Sequence, residues 1–212
     1  MIEFITENHK EVVTSILRHI QLVGISILIS MIISIPLGIF LSRHRKVAGT
    51  VLAIAGTIQT IPGLVMLGFA LIFFGIGMRP ALIVLTLYAI LPILRNTYTG
   101  ITEVDKSFIE AARGIGMTSL QTLFKVELPI ALPIIISGVR LSTVYIVSWA
   151  TLAGLIGAGG LGDLIWTGLA TYNTNYILSG AIPSAILAFL FSGLISLLQR
   201  ALVPRGLRKV KV

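Results

Sequence analysis

An all-α integral membrane protein of about five spanning helices is the fold class that this sequence predicts. Three observations carry that expectation. Of 212 residues, 56% are apolar and 11% charged, with a mean hydropathy of +1.00. Soluble domains carry about a quarter charged residues and cannot hide so much apolar surface. The charges also fall between long uncharged stretches, and Lys and Arg accumulate on one side of the resulting spans.

The first uncharged stretch, residues 19–42, holds 24 residues between Arg18 and Arg43. A spanning helix needs about 20 apolar residues, so one is expected near 20–42. Residues 47–78 are uncharged for 32 residues and give a second span near 50–74. Within it Ile58-Gln59-Thr60-Ile61-Pro62-Gly63 is a candidate break, because proline removes a donor and clashes with the preceding turn. Residues 80–94 lead to Arg95, giving a third span near 80–99. The fourth is expected near 129–155, around the uncharged residues 141–162. The glycine-rich run at 157–162 is poor helix and reads as an irregular turn, re-entrant or at the surface, buried in protein rather than facing lipid. Residues 164–199 are uncharged but interrupted by Tyr172-Asn173-Thr174-Asn175-Tyr176, so the fifth span is expected near 177–199. All of this forms one domain, 1–212.

Five spans put the termini on opposite sides. With the C-terminus inside, inner segments hold Arg43, Arg45, Lys46, Arg95, Lys106, Arg113, Lys125, Arg200, Arg205, Arg208, Lys209 and Lys211. Outer segments hold only Lys10, Arg18 and Arg79, and Arg140 falls inside the fourth span. The positive-inside rule therefore places the N-terminus outside and the C-terminus in the cytoplasm. The same placement accounts for the net charge of +8 through anionic lipid, with no nucleic-acid partner. Residues 1–18 carry Glu3, Glu7 and Glu11 instead of the basic leader of a secretory signal. With no cysteine and three scattered histidines (His9, His19, His44), no metal site is expected.

Two spans carry small residues every fourth position: Ser26, Ser30, Ser34 and Gly38 in the first, and Gly180, Ser184, Ala188, Ser192 and Ser196 in the fifth. Such stripes let helices approach closely in lipid. They fit packing within the bundle first, with subunit contact or pore lining as the alternative. Five helices leave little room for a solute path, so a second copy or a paralogue is expected.

The longest inner loop, 100–128, concentrates Glu103, Asp105 and Glu110 in its first half. Residues 107–123 read as one or two short amphipathic helices. Ser107 followed by Glu110 fits a capping box, and Gly114 and Gly116 allow a sharp turn. A folded polar loop in so small a membrane protein suits docking of a soluble partner. Its spacing is specific: Glu110-Ala111-Ala112, three residues, Gly116, nine residues, then Val126-Glu127-Leu128-Pro129. This resembles the inner-loop signature of ABC importer permeases, with Val126 where that signature has Ile. Leu91-Pro92-Ile93-Leu94-Arg95-Asn96-Thr97-Tyr98-Thr99-Gly100, and Trp149-Ala150-Thr151-Leu152-Ala153 running into 157–163, look like segments of the osmoprotectant subfamily, which imports glycine betaine, carnitine and choline. Methionine permeases share the glycine-rich stretch.

The resemblance implies a MetI-like fold in a bacterial inner membrane, with loop 100–128 supplying coupling helices to an ATPase subunit. Glu110, Ala111, Ala112, Arg113, Gly114 and Gly116 would carry that contact. It also implies a solute-binding protein outside the membrane. No Gly-Lys pair exists to form a P-loop, so this chain is expected to be no enzyme, with no catalytic residue and no cofactor of its own; Mg-ATP belongs to the partner ATPase.

Candidates for the translocation path are Tyr88, Tyr98, Arg140, Tyr145 and Trp149. Tyr145 and Trp149 lie four apart, with Ser142 near, and aromatic faces attract quaternary ammonium groups. Ordinary packing or interfacial anchoring explains the aromatics better. Arg140 is either a gate residue or structurally paired, and Asp163 is expected near the outer surface at a short helix. An amino-acid importer is an alternative with the same architecture. A secondary transporter would show internal repeats and paired intramembrane ions, and a membrane scaffold or channel component would not need the spaced loop signature.

Overall fold

The structure, a computed structural model, describes residues 2–203. Arg205, Arg208, Lys209 and Lys211 of the basic C-terminal run lie outside the described residues, as does the side chain of Glu3. All regular structure among the described residues is helical. A short α1 (Ile2–Glu7) precedes α2 (His9–Arg43), α3 (Arg45–Thr60), α4 (Gly63–Phe74) and α5 (Met78–Thr102). Then come α6 (Lys106–Gly114), α7 (Ser119–Thr122), a π-helical turn (Leu123–Glu127) and α8 (Leu128–Leu152). A 3-10 turn (Ala153–Ile156), α9 (Leu161–Ala170) and α10 (Thr174–Leu202) complete the chain.

Four helical stretches are long and apolar enough to cross a membrane, five if the bent α3–α4 pair counts as one. That bend is 91° and falls at Ile61-Pro62, where the sequence suggested a break. Proline cannot donate to the preceding turn, and the residue before it is driven out of helical geometry; Ile61 is extended.

Helix α5 is the centre of the bundle. Over half of its most apolar stretch is buried inside the chain, against 6% for α10 at the periphery. Its neighbours bond to its backbone. Ser30 and Ser34 of α2 donate to the carbonyls of Thr86 and Ile90, and Ser142 of α8 donates to Ala89. Pro92, inside α5, has no N–H for the Tyr88 carbonyl, and Gln59 of α3 supplies the missing donor at 2.9 Å. Small hydroxyl and amide groups thus hold α5 where lipid offers no hydrophobic drive. The first four-residue stripe is spent inside the chain: Ser26, Ser30, Ser34 and Gly38 are all buried, and a Cβ at Gly38 would meet the Thr97 side chain at 2.7 Å. Of the second stripe, Gly180 packs on α9, and Ser184, Ala188, Ser192 and Ser196 remain partly open.

Several boundaries move. The first span begins at His9, above the charge-free stretch, and α10 begins at Thr174. A short helix was expected at Asp163, without bounds, and α9 is that helix. Asp163 sits in its first turn; the cap position is Gly160. The glycine-rich run is irregular and largely buried, as expected: Ala158, Gly159 and Gly160 are covered, and a Cβ on Gly162 would lie 2.1 Å from the Thr151 carbonyl. At this end His19, wholly buried, donates from Nε2 to the Val147 carbonyl at 3.2 Å and ties α2 to α8. Burial pushes the Asp163 carboxyl above the ordinary range, with the Arg18 charge opposing.

Candidate coupling surface and translocation elements

Loop 100–128 folds as two short helices joined by a glycine turn. The cap of α6 is Asp105, whose carboxylate accepts from the Ser107 N–H at 2.8 Å. This corrects the expectation of a capping box at Ser107 and Glu110: Asp105 takes the cap and puts Ser107 in the first turn. Hydrogen bonds from Ser107, backbone first and then hydroxyl, hold the Asp105 carboxyl below its ordinary range. Helix α6 ends in a Schellman motif. The Met117 N–H reaches the Ala112 carbonyl, the Gly116 N–H reaches Arg113, and Gly116 has φ +82°. A capping box does form, one helix later: Thr118 and Gln121 bond reciprocally at the start of α7.

A Cβ at Gly116 would meet nothing within 4 Å, so its role in the fold of this chain is conformational. Gly116→Ala should cost about 1–2 kcal/mol through the left-handed backbone. Hydrogen exchange checks this: amides of residues 106–122 should exchange faster in the variant, and unchanged protection would contradict the assigned role.

The signature residues divide by exposure. Glu110, Ala111, Arg113, Gly114 and Gly116 are exposed, while Ala112 is 4% exposed and turned into the protein. Ala112 therefore seats α6 and leaves the others available. Around them stand unusually bare apolar groups: Phe108 (53% exposed), Ile115 (76%), Leu120 (67%) and Phe124 (63%). Contiguous apolar surface beside a polar rim marks interaction sites. The platform is anchored by an ion pair between Arg43, at the end of α2, and Glu127, in the π-helical turn, at 2.5 Å. Glu127 is nearly buried, and Arg43 is half exposed. Nothing in the sequence signalled this pair, whose members lie 84 residues apart.

The five path candidates do not form one cluster. Tyr88 and Trp149 pack with ring centroids 4.8 Å apart and planes tilted by 31°. The Tyr88 hydroxyl donates to the Ile61 carbonyl at the α3–α4 break, and Gly63 faces the Trp149 ring so closely that a Cβ would overlap it. These two aromatics thus lock the bend. Tyr98 packs in a separate apolar cluster with Leu41, Ala48 and Leu94. Tyr145 is 50% exposed, on the flank of α8 that carries Trp149. Arg140, on the other flank, donates from Nε to Ser192 of α10 at 2.9 Å. Gln59 and Gly63 belong beside Tyr88 and Trp149; the sequence had marked them only as part of a break. Among the described residues no three His, Cys, Asp or Glu side chains gather as a metal site.

A helical membrane bundle with a broken second span and a folded polar platform at one end is the build of an ABC importer permease. The chain belongs to the family of binding-protein-dependent transport system inner membrane components, whose model matches residues 15–208. It is 42% identical to the choline transport system permease protein OpuBB of Bacillus subtilis (strain 168), over 100% of this chain and 97% of that protein. It is also 42% identical, with the same coverage, to the glycine betaine/carnitine/choline transport system permease protein OpuCB of the same organism. In three dimensions it resembles a chain of the inward-facing MetNI methionine ABC transporter (TM-score 0.82, 26% identity, covering 92% of this chain and 98% of that one). The chain is thus a transmembrane permease subunit, and its MetI-like fold is as expected.

Proposed function

We propose that this permease domain, 1–212, imports quaternary ammonium osmoprotectants (glycine betaine, carnitine and choline) by alternating access. Support for the solute class is the 42% identity over whole chains to permeases named for those solutes. The methionine system is more distant, at 26%.

The observation that carries the mechanism is the platform at 100–128. Its spaced signature is exposed at Glu110, Ala111, Arg113, Gly114 and Gly116, beside uncovered Phe108, Ile115, Leu120 and Phe124. An ATPase subunit holding Mg-ATP docks there, on the cytoplasmic side, with the N-terminus outside. A second permease, copy or paralogue, completes the path, and a solute-binding protein delivers from the other face. Closure of the ATPases moves the platforms, and the Arg43–Glu127 tie passes that movement to the ends of α2 and α8. Solute passes as the two states exchange population.

Glu110→Lys tests this reading, because it reverses an exposed charge without touching the core. The variant should elute as a folded bundle, fail to co-purify with its ATPase, and lose at least tenfold in ATP-driven uptake. Unchanged uptake would remove the platform from the mechanism.

A further inference from the structure

The geometry points to Arg140 as a carboxylate-binding subsite within the translocation path, selective for zwitterionic solutes over purely cationic ones. This inference rests on the solute class proposed above.

Arg140 is the midpoint of the 25-residue α8. Twelve residues separate it from either end, about 18 Å at 1.5 Å per residue. That is too deep for the side chain to reach either boundary, and a charge facing lipid at this depth is costly. Yet Arg140 is exposed, and its partner among the described residues is the neutral Ser192 hydroxyl. The face of α8 it borders carries exposed Ser137 and Ser148 beside Leu141, so it is partly polar at the depth of the guanidinium.

Among the described residues Arg140 has no counter-ion. Its eight acidic residues are Glu3, Glu7, Glu11, Glu103, Asp105, Glu110, Glu127 and Asp163. None lies in the middle of a spanning helix. Glu127, nearest along α8, is about 20 Å away by helical rise and already holds Arg43. Asp163 lies in α9, beside the charge of Arg18. A second copy related by an axis along the membrane normal brings the same acids at the same depths, so it supplies none either.

A partly hydrogen-bonded guanidinium exposed at mid-helix without an anion is a receiver for a mobile one. Arginine binds carboxylate through paired N–H donors. Glycine betaine and carnitine carry a carboxylate beside the quaternary ammonium, and choline does not. Tyr145, five residues on and on the other flank of the same face, is half exposed and offers an aromatic surface about 7.5 Å further along the axis. The carboxylate is held at Arg140 while the ammonium end passes the aromatic flank.

The test is uptake by the complete transporter, reconstituted with its ATPase and receptor in vesicles, comparing wild type with Arg140→Gln and Arg140→Lys. The inference expects KM for carnitine and glycine betaine to rise about tenfold in Arg140→Gln, a loss worth about 1.4 kcal/mol. Choline uptake and nucleotide hydrolysis should be unchanged, and Arg140→Lys should recover part of the affinity. Equal loss for choline and carnitine, no loss for either, or dissociation of the permease pair in Arg140→Gln would overturn the subsite while leaving the transport assignment intact. Wild-type import of choline alone would also overturn it. Wild-type vesicles that import none of the three solutes would instead overturn the proposed solute class.

Discussion

Gly63→Ala is expected to destabilise the protein by about 3 kcal/mol, the upper part of the range for overpacking a filled core. A Cβ at this position would lie 1.4 Å from Cζ3 of Trp149 and within 2.4 Å of two more ring atoms. The indole cannot slide away freely, because Tyr88 packs against it and is itself bonded to Ile61. The cost should therefore appear as an opening of the α3–α4 bend. Trp149→Leu alone removes packing area and should cost about 2–3 kcal/mol, below a full truncation because the ring is only half buried. Combined with Gly63→Ala it should cost less than the sum, since the smaller side chain makes room for the methyl. Thermal unfolding of the four proteins in detergent measures this. Additive losses would show that Gly63 and Trp149 do not share one constraint.

Arg43→Ala should cost about 3 kcal/mol for a different reason. Removing one partner of a buried pair strands the other, and Glu127 is only 3% exposed. The lower end of the usual range applies because Arg43 is 44% exposed, so part of its attraction is already screened. Adding Glu127→Gln removes the stranded charge and should restore most of the loss. The same unfolding measurement checks it, with one further reading: if the pair transmits movement from the platform, the restored double variant should still transport poorly. Full transport in the double variant would make Arg43–Glu127 an anchor alone.

The parts of this architecture that sequence exposes are those governed by local rules. The break at Ile61-Pro62 follows from proline sterics, and the buried serine stripe follows from four-residue periodicity. The Gly116 turn follows from the left-handed backbone that glycine permits. The platform was legible because its residue spacing is itself the signal. What sequence hid depends on long-range contact or on competition between equal local choices. Both Asp105 and Ser107 are good caps, and only the folded chain decides between them. Helix α9 is only ten residues long and its one charge, Asp163, falls inside its first turn, so neither length nor charge marks its ends. Gln59 meets the Tyr88 carbonyl because Pro92, in another helix, leaves it unpaired. The same holds for Arg140, whose depth was readable but whose side chain met Ser192 only on folding.

The central claim is that the exposed face of α6 bears on an ATPase subunit. The chain contains no cysteine, so a single thiol can be placed without altering the background. A thiol cross-link scan on Glu110→Cys in the assembled transporter tests the claim most directly, with Tyr172→Cys, 95% exposed at the other end of the bundle, as the comparison. A covalent adduct is expected between Glu110→Cys and the ATPase subunit, and none from Tyr172→Cys. An adduct with the ATPase from Tyr172→Cys, or its absence from Glu110→Cys in a complex that still hydrolyses ATP and transports, would contradict it.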